Sequence, residues 1–291
     1  MKIGVVGAGL MGGEIALVFA LGGFEVLLHD RDDAVLQRGI ARLDALLDKG
    51  VARGIYSVEA KTQALARIVP VSDFTRFSEC GLVSEAVFEA LDVKQTVLKT
   101  LDAVCGPDCV LTSNTSTLPI STLSAALSPA RRPSFLGAHF FSPVSRMPLV
   151  EVIPSFETAP ETAVQVVEIL ERIGKTPIVV KDVAGFAVNR LLHAMLIEAV
   201  KLVEEGVATP EDLDTACRLG LGHPIGPFTL MDAVSSGLCL QVQQILHDAY
   251  GERFRPPGLL KQRVAAGFVG GAGRPGWTRA SVEGARKAGG Q

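Results

Sequence analysis

The sequence predicts an α/β protein, in which a doubly wound and largely parallel sheet precedes an all-helical C-terminal domain. The first observation is that short apolar runs alternate with amphipathic helical patterns up to residue 182, as parallel strands joined by helices require. The second is that only helical patterns follow this point. A length of 291 residues also favours two domains over one. We therefore expect domains at residues 1–182 and 183–291.

The N-terminal domain is predicted to begin with a βαβ unit. Its parts are a strand at Lys2–Val6, a helix at Leu10–Leu21 and a strand at Glu25–Asp30. Helices are then predicted at Ala34–Lys49, Asp92–Val104 and Glu161–Ile173, and further strands at Ile68–Val71, Leu82–Val87, Val110–Thr112, Phe135–Ala138, Leu149–Ile153 and Pro177–Val180. Thr158 followed by Glu161 predicts a capping box at the start of the last helix, and Gly174 predicts its end.

The C-terminal domain is predicted to contain only helices, at Asn189–Glu205, Pro210–Leu219, Pro227–Val234 and Leu238–Ala249. Thr209 is the expected N-cap of the second of these, and the tail from Gly267 is expected to fray. Apolar residues cover much of the circumference of the first helix, namely Ala194, Leu196, Ile197, Val200 and Val203. One apolar face suffices for packing on a core, so this pattern predicts that a second subunit covers the rest and that the protein is a homodimer.

Composition and charge exclude several classes of protein. Hydrophobic residues make up 48% and charged residues 20%, the balance of a globular chain, and a net charge of −3 predicts neither a nucleic-acid partner nor a membrane partner. Residues 3–24 are apolar apart from Glu14, but seven glycines in this stretch argue against a membrane span or a signal peptide.

The cysteines and histidines predict a reducing, cytoplasmic location and no metal site. Five cysteines are an odd number for a disulfide framework and are spread over a long chain. Cys105 and Cys109 enclose Gly-Pro-Asp, which indicates a turn between a helix and a strand, and the five histidines form no HxxxH pair.

A GxGxxG motif at residues 7–12 leaves the first strand and opens the first helix, and Asp30 ends the next strand. In a Rossmann-type domain the first glycine permits the turn, the second lets the backbone approach a pyrophosphate, and the third allows close packing of helix and strand. Asp30 would accept hydrogen bonds from a ribose 2′-hydroxyl and repel a 2′-phosphate, which favours NAD over NADP. The motif therefore predicts an NAD site that includes Gly7, Gly9, Leu10, Met11 and Gly12.

Polar residues near the ends of later strands are the candidates for chemistry: Glu85, Glu89, residues 113–116, His139, Glu151 and Asn189. Glu151 lies within the apolar run Leu-Val-Glu-Val-Ile, where a carboxylate is costly to bury without a partner. His139 ends a neighbouring strand and would be such a partner. Imidazole titrates close to neutral pH and can take a proton from a hydroxyl that loses hydride.

The chain resembles the 3-hydroxyacyl-CoA dehydrogenase family, and within it the bacterial 3-hydroxybutyryl-CoA dehydrogenases. The motifs that carry the resemblance follow one another in the family's order across nearly the whole chain: GAGLMG at 7–12, EAVFEALDVK at 85–94, SNTS at 113–116, HFFSPV at 139–144, LVEVI at 149–153, AGFAVNR at 184–190 and GHPIGPF at 222–228.

The resemblance implies a role for each matching residue. His139 corresponds to the family's general base, Glu151 to the glutamate that orients it, and Ser116 and Asn189 to residues that contact substrate. The residues that match NAD contacts of the family are Asp30, Glu89 and Lys94. We also expect Ser116 and Ser142 to contact NAD, and Ser142 replaces an asparagine of the family. The family also dimerises through its C-terminal region, and its substrate is a 3-hydroxyacyl thioester of CoA.

Some positions depart from the family's pattern. Glu14 stands where a small residue is usual and is expected to bring a negative charge near the phosphates of the cofactor. Leu46 and Arg53 occupy positions at which some members hold CoA with a serine and a lysine. The carrier of the acyl group therefore stays open between CoA and an acyl carrier protein.

Two other functions stay open. One is a dehydrogenase of a free hydroxy acid; the GxxxNxxK motif of 6-phosphogluconate-type relatives is matched at Gly185 and Asn189, but Leu192 replaces its lysine. The other is a non-catalytic NAD-binding protein.

Overall fold

The computed structural model describes residues 1–271 and 273–278. Its centre is one eight-stranded sheet in the order β3-β2-β1-β4-β5-β6-β7-β8. The strands are β1 (Lys2–Val6), β2 (Glu25–His29), β3 (Ile68–Val71), β4 (Cys80–Glu85), β5 (Val110–Ser113), β6 (Phe135–Phe140), β7 (Leu149–Pro154) and β8 (Thr176–Val179). β1 to β6 are parallel, β7 runs antiparallel to β6, and β8 is parallel to β7.

Helices connect the strands and then form the C-terminal part alone. They are α1 (Leu10–Leu21), α2 (Asp33–Ala52), α3 (Val58–Arg67), α4 (Leu91–Val104), α5 (Ile120–Ser124), α6 (Pro160–Arg172), α7 (Val188–Glu204), α8 (Pro210–Gly220), α9 (Pro227–Val234), α10 (Ser236–Tyr250) and α11 (Gly258–Ala265). The predicted fold class is confirmed: a doubly wound, mostly parallel sheet followed by helices.

Chain contacts divide the structure into two compact units, of which the first spans Met1–Val183 and the second begins at Ala184. In the first unit, α1 packs on the sheet and is buried along most of its length. The described part of the second unit contains no strand. None of the helices in the described part of the chain combines the length and the hydropathy that a bilayer crossing requires.

The predicted capping box of α6 is wrong. The N-cap residue is Ala159, and α6 begins at Pro160 without a side-chain cap. The Thr158 hydroxyl instead donates to the carbonyl of Phe135 on β6, so a tertiary contact uses the group that a local cap would need. The Thr209 cap of α8 is confirmed, because its hydroxyl accepts from the N–H of Asp212.

The apolar circumference of α7 has a different cause from the one predicted. Leu196 and Val200 belong to one buried cluster, with Phe228 and Trp277, whereas Ile197 belongs to a second. Two apolar faces of α7 are therefore covered by its own unit, and the pattern no longer requires a partner subunit.

The tail is not frayed where it is described. Trp277 is 5% exposed, and its backbone N–H donates to the Asp232 carboxylate. Residues 272 and 279–291, to which the same expectation applied, lie outside the described residues.

Candidate cofactor site and active site

The glycine turn between β1 and α1 has the geometry that the motif predicts. Gly7 has φ of +104°, in the region that only glycine adopts readily, and its N–H donates to the His29 carbonyl at 2.8 Å. A Cβ at Gly12 would overlap the Gly7 carbonyl oxygen. These two glycines are therefore required by backbone conformation and by packing.

Gly9 is different, because a Cβ there would meet no protein atom within 4 Å. Protein packing does not explain this glycine, whereas the approach of a pyrophosphate to the backbone does. Gly9 is also the N-cap of α1, whose first turn has no side-chain cap and no acidic residue, so its N–H groups suit an anion. Leu10, which is exposed, and the half-buried Met11 are the first residues of this helix. These features fit the pyrophosphate of a dinucleotide.

Asp30 and Arg42 brace the glycine turn. Asp30 Oδ2 accepts from the Ala8 N–H at 2.8 Å, and Arg42 Nη2 donates to the Gly9 carbonyl at 2.6 Å and to the Ala8 carbonyl at 3.2 Å. Arg42 was not predicted from the sequence. Its partners are more than 30 residues away along the chain, and the close packing of Gly39 against Ala8 helps to bring α2 to the turn.

Glu89 organises the loop that follows β5. Its Oε1 accepts from the N–H groups of Ser116 and Thr117 at 2.8 and 3.0 Å and from the Thr115 hydroxyl at 2.6 Å. Partial burial raises the pKa of the Glu89 carboxyl, but the neighbouring Lys94 ammonium and these hydrogen bonds outweigh that effect and leave the pKa below its ordinary value. Glu89 is therefore an anion that fixes the position of Ser116.

Lys94 lies beneath Glu89 and is fully buried. Its Nζ is 2.8 Å from Glu85 Oε1 and 3.3 Å from Glu89 Oε2. The second oxygen of Glu85 accepts from the Ser113 hydroxyl at 2.6 Å. The ammonium is enclosed by its two carboxylate partners, and the contact with NAD that the resemblance implies for Lys94 stays a prediction.

His139 lies directly opposite Glu151 across the antiparallel pair β6–β7. His139 Nδ1 is 2.9 Å from Glu151 Oε2, and His139 Nε2 is 3.0 Å from Ser116 Oγ. Glu151 is 0% and His139 4% exposed. An ionised carboxylate only accepts, so the Nδ1 proton lies between the two residues and Nε2 is left as an acceptor for a hydroxyl proton. The arrangement resembles the pairing of imidazole and carboxylate in a hydrolase triad.

Two further residues shape this end of β6. Asn114 Oδ1 accepts from the Phe140 N–H at 2.9 Å and fixes the strand next to His139. Ser142 is exposed in the loop that joins β6 to β7. Its proposed contact with the cofactor is compatible with that exposure.

The contacts of Glu14 differ from the expectation. Its side chain is buried, and Oε2 accepts from the N–H and the hydroxyl of Ser145 at 3.0 and 3.1 Å. The charge that the sequence places near the phosphates is therefore engaged with the loop between β6 and β7.

Asn189 lies in the first turn of α7, in the second unit, and is half-buried. Cys105 and Cys109 flank the turn between α4 and β5. Across residues 1–271 and 273–278, no three His, Cys, Asp or Glu side chains are grouped as a metal site would need.

A sheet of this topology, a glycine turn that suits a pyrophosphate and a buried carboxylate–imidazole pair define the class: an NAD-dependent dehydrogenase. The model of the 3-hydroxyacyl-CoA dehydrogenase NAD-binding domain matches residues 2–183, and that of the C-terminal domain of the same dehydrogenase matches residues 185–280. The chain belongs to the 3-hydroxyacyl-CoA dehydrogenase family, a family of oxidoreductases, and its cofactor is NAD.

Similar proteins span nearly the whole chain. A probable 3-hydroxybutyryl-CoA dehydrogenase of Deinococcus radiodurans is 42% identical over 93% of this chain and 96% of its own. A 3-hydroxybutyryl-CoA dehydrogenase of Bradyrhizobium diazoefficiens is 38% identical over 92% of each chain. The crystal structure of (S)-3-hydroxybutyryl-CoA dehydrogenase from Ralstonia eutropha superposes with a TM-score of 0.90 at 37% identity, covering 94% of this chain and 97% of that one.

Proposed function

We propose that this protein oxidises a 3-hydroxyacyl-CoA to the 3-oxoacyl-CoA with NAD, and that His139 is the general base. The observation that carries the proposal is the Ser116–His139–Glu151 arrangement, with 3.0 Å and 2.9 Å between the polar atoms. Among the substrates of the relatives, a 3-hydroxybutyryl thioester is the one that their names share.

His139 Nε2 takes the proton of the 3-hydroxyl group as the carbon–hydrogen bond at C3 breaks. The glycine turn at residues 7–12 would hold NAD, which would supply the acceptor for the hydride that leaves this carbon. The imidazolium formed on His139 is stabilised by the Glu151 carboxylate across the sheet. The Ser116 hydroxyl contacts Nε2 of His139, the nitrogen that takes the proton. Glu89 accepts from the Ser116 N–H and so positions this hydroxyl to hold the oxygen of the substrate. Asn189 is proposed to contact the substrate, as the resemblance to the family implies.

The test is NADH oxidation with acetoacetyl-CoA and acetoacetyl carrier protein side by side. His139→Ala is expected to lower turnover by about 100-fold or more, the usual contribution of a general acid or base, with NADH affinity retained. His247→Ala is the matched control, because His247 pairs with Glu252 at the surface. Unchanged turnover in His139→Ala would remove this residue from the mechanism.

The same assay, extended to NAD reduction by a free hydroxy acid, separates the alternatives. Preference for acetoacetyl carrier protein would identify the carrier as a protein. Turnover of a free hydroxy acid alone would make the protein a dehydrogenase of that class. Tight NADH binding without turnover of any of these substrates would make it a non-catalytic NAD-binding protein.

We also propose a homodimer in a reducing, cytoplasmic environment. Exposed leucines of the second unit support the dimer, namely Leu191, Leu219 and Leu221. All five cysteines lie within the described residues as free thiols, which supports the location. Sedimentation of a monomer at micromolar concentration would refute the dimer.

A further inference from the structure

The first unit contains an open cleft of about 400 Å³ beside the loop that joins β6 to β7. The C-terminal end of α1, the residues that follow α6 and the tip of the α2–α3 hairpin form its other walls. Its polar lining residues are Tyr56, Ser145, Arg146, Arg172 and Lys175. The cleft is thus lined by three cationic side chains and two hydroxyl groups.

Two of these cations have no acidic partner. Within residues 1–271 and 273–278, neither Arg146 nor Arg172 lies within 4.0 Å of a carboxylate oxygen, although the chain has many surface ion pairs. The Arg172 guanidinium stacks on the ring of Phe24, 4.4 Å from its centroid. Stacking fixes the plane of the group and leaves its N–H donors available.

Buried groups hold the wall that carries Arg146. Glu14 accepts both hydrogen bonds of Ser145, and Lys175 Nζ donates to the carbonyls of Val144 and Met147, the latter at 2.9 Å. Glu14 and Lys175 are 4% and 9% exposed. Residues 144–147 are therefore held by two buried charged groups, which fix the backbone from which the Arg146 side chain projects.

The cleft is near the proposed chemistry along the chain. Ser145 follows His139 by six residues, which limits the distance between their Cα atoms to about 20 Å. A long, flexible pantetheine arm that starts at His139 can thus end at Arg146. A free hydroxy acid has no such arm.

We propose that this cleft binds the phosphate groups of the substrate's carrier, the adenosine 3′,5′-bisphosphate end of CoA, through Arg146 and Arg172. One guanidinium group binds two oxygens of a phosphate through two parallel N–H donors. Two arginines without a carboxylate partner can therefore bind a ligand that carries several phosphates. The proposal rests on the function proposed above. The residues of this cleft differ from the two family positions, where Leu46 replaces the serine and Arg53 replaces the lysine.

The test compares acetoacetyl-CoA with acetoacetyl-pantetheine, which carries no phosphate. Arg146→Gln combined with Arg172→Gln is expected to raise KM for acetoacetyl-CoA by about tenfold to a hundredfold, the scale of charge-assisted hydrogen bonds, without changing kcat. For acetoacetyl-pantetheine both KM and kcat are expected to stay as in the parent. Arg76→Gln is the matched control, because Arg76 is an exposed arginine outside the cleft that pairs with Glu79. Arg53→Gln is measured beside it, because Arg53 stands at the position of the family's CoA-binding lysine.

Three outcomes would overturn the proposal: an unchanged KM for acetoacetyl-CoA, an equal rise in KM for both thioesters, or a rise with Arg53→Gln alone. Calorimetry with adenosine 3′,5′-bisphosphate gives a readout that is independent of catalysis, and the double variant is expected to lose at least tenfold in affinity. If neither thioester is turned over but the bisphosphate binds and the variant loses it, the proposed function fails and the cleft assignment stands.

Discussion

Replacing Glu151 by glutamine tests the proposed catalytic pair of His139 and Glu151 with little change of side-chain shape. The side chain is fully buried and 2.9 Å from His139 Nδ1, and glutamine keeps its volume and one acceptor oxygen. The variant loses the negative charge that stabilises the imidazolium in the proposed mechanism. We therefore expect a folded protein that transfers the proton poorly.

The size of the effect follows from the kind of hydrogen bond. A bond to a charged partner contributes about 1.5 to 3 kcal/mol, which corresponds to roughly tenfold to a hundredfold in rate at 1.36 kcal/mol for each factor of ten. If the amide turns its NH₂ group towards Nδ1, the proton moves to Nε2 and His139 can no longer accept; the loss then approaches the ~10⁴-fold seen when a triad histidine takes the wrong tautomer.

The assay is kcat for reduction of acetoacetyl-CoA, with NADH affinity and thermal midpoint measured in parallel. Glu157→Gln is the control, because Glu157 is an exposed acid that pairs with Arg132. A Glu151→Gln enzyme with kcat within twofold of the parent and the same thermal midpoint would show that Glu151 is only a buried structural acid.

Three further predictions concern the cofactor, the buried lysine and pH. Asp30→Asn keeps an acceptor for the Ala8 N–H. It is expected to shift the ratio of NAD to NADP affinity towards NADP by about tenfold to a hundredfold, measured by fluorescence titration. A parent protein that already prefers NADP would contradict the assignment of Asp30. Lys94→Met is expected to destabilise the protein by about 3 kcal/mol or more in urea denaturation, because Glu85 would be left as a buried charge without its partner. A loss of stability below about 1 kcal/mol would show that Lys94 does not neutralise a buried charge on Glu85. Burial lowers the pKa of His193 to about 4, so the unfolded chain takes up a proton near pH 6.5 before the folded protein does. The free energy of unfolding should therefore fall by about 3 kcal/mol between pH 7 and pH 4. The variant His193→Phe should remove this part of the pH dependence. An equal pH dependence in parent and variant would count against it.

The sequence predicts the elements that have a local cause. β1, α1 and β3 have the predicted bounds, because the glycine motif and the apolar runs fix them within a few residues. The helix α3 was missed: Ala64 is its one buried residue, so it shows no apolar stripe. The helix α5 was also missed, because it is only five residues long and has no side-chain cap that would mark its start in the sequence.

The site residues divide in the same way. Gly7 and Gly12 follow from a local motif, and their conformations agree with it. Arg42 and the partner of Glu14 could not be predicted, since the bonds of these residues join segments 33 and 131 residues apart. Lys94 illustrates a subtler limit, because a motif shows that a lysine is present but not that two carboxylates enclose it.

An acidic residue within an apolar run indicates that a partner for the buried carboxylate exists, and the strand register determines which residue that partner is. Glu151 in an apolar run requires a counter-group on energetic grounds, because an isolated buried carboxylate is too costly. The β6–β7 register pairs it with His139. A slip of one residue would turn Glu151 to the other face of the sheet and leave His139 without its carboxylate. The loop of residues 141–148 joins these two strands, and Glu14 and Lys175 both hydrogen-bond to it. The same contacts that fix this loop therefore also help to fix the register on which the proposed base depends.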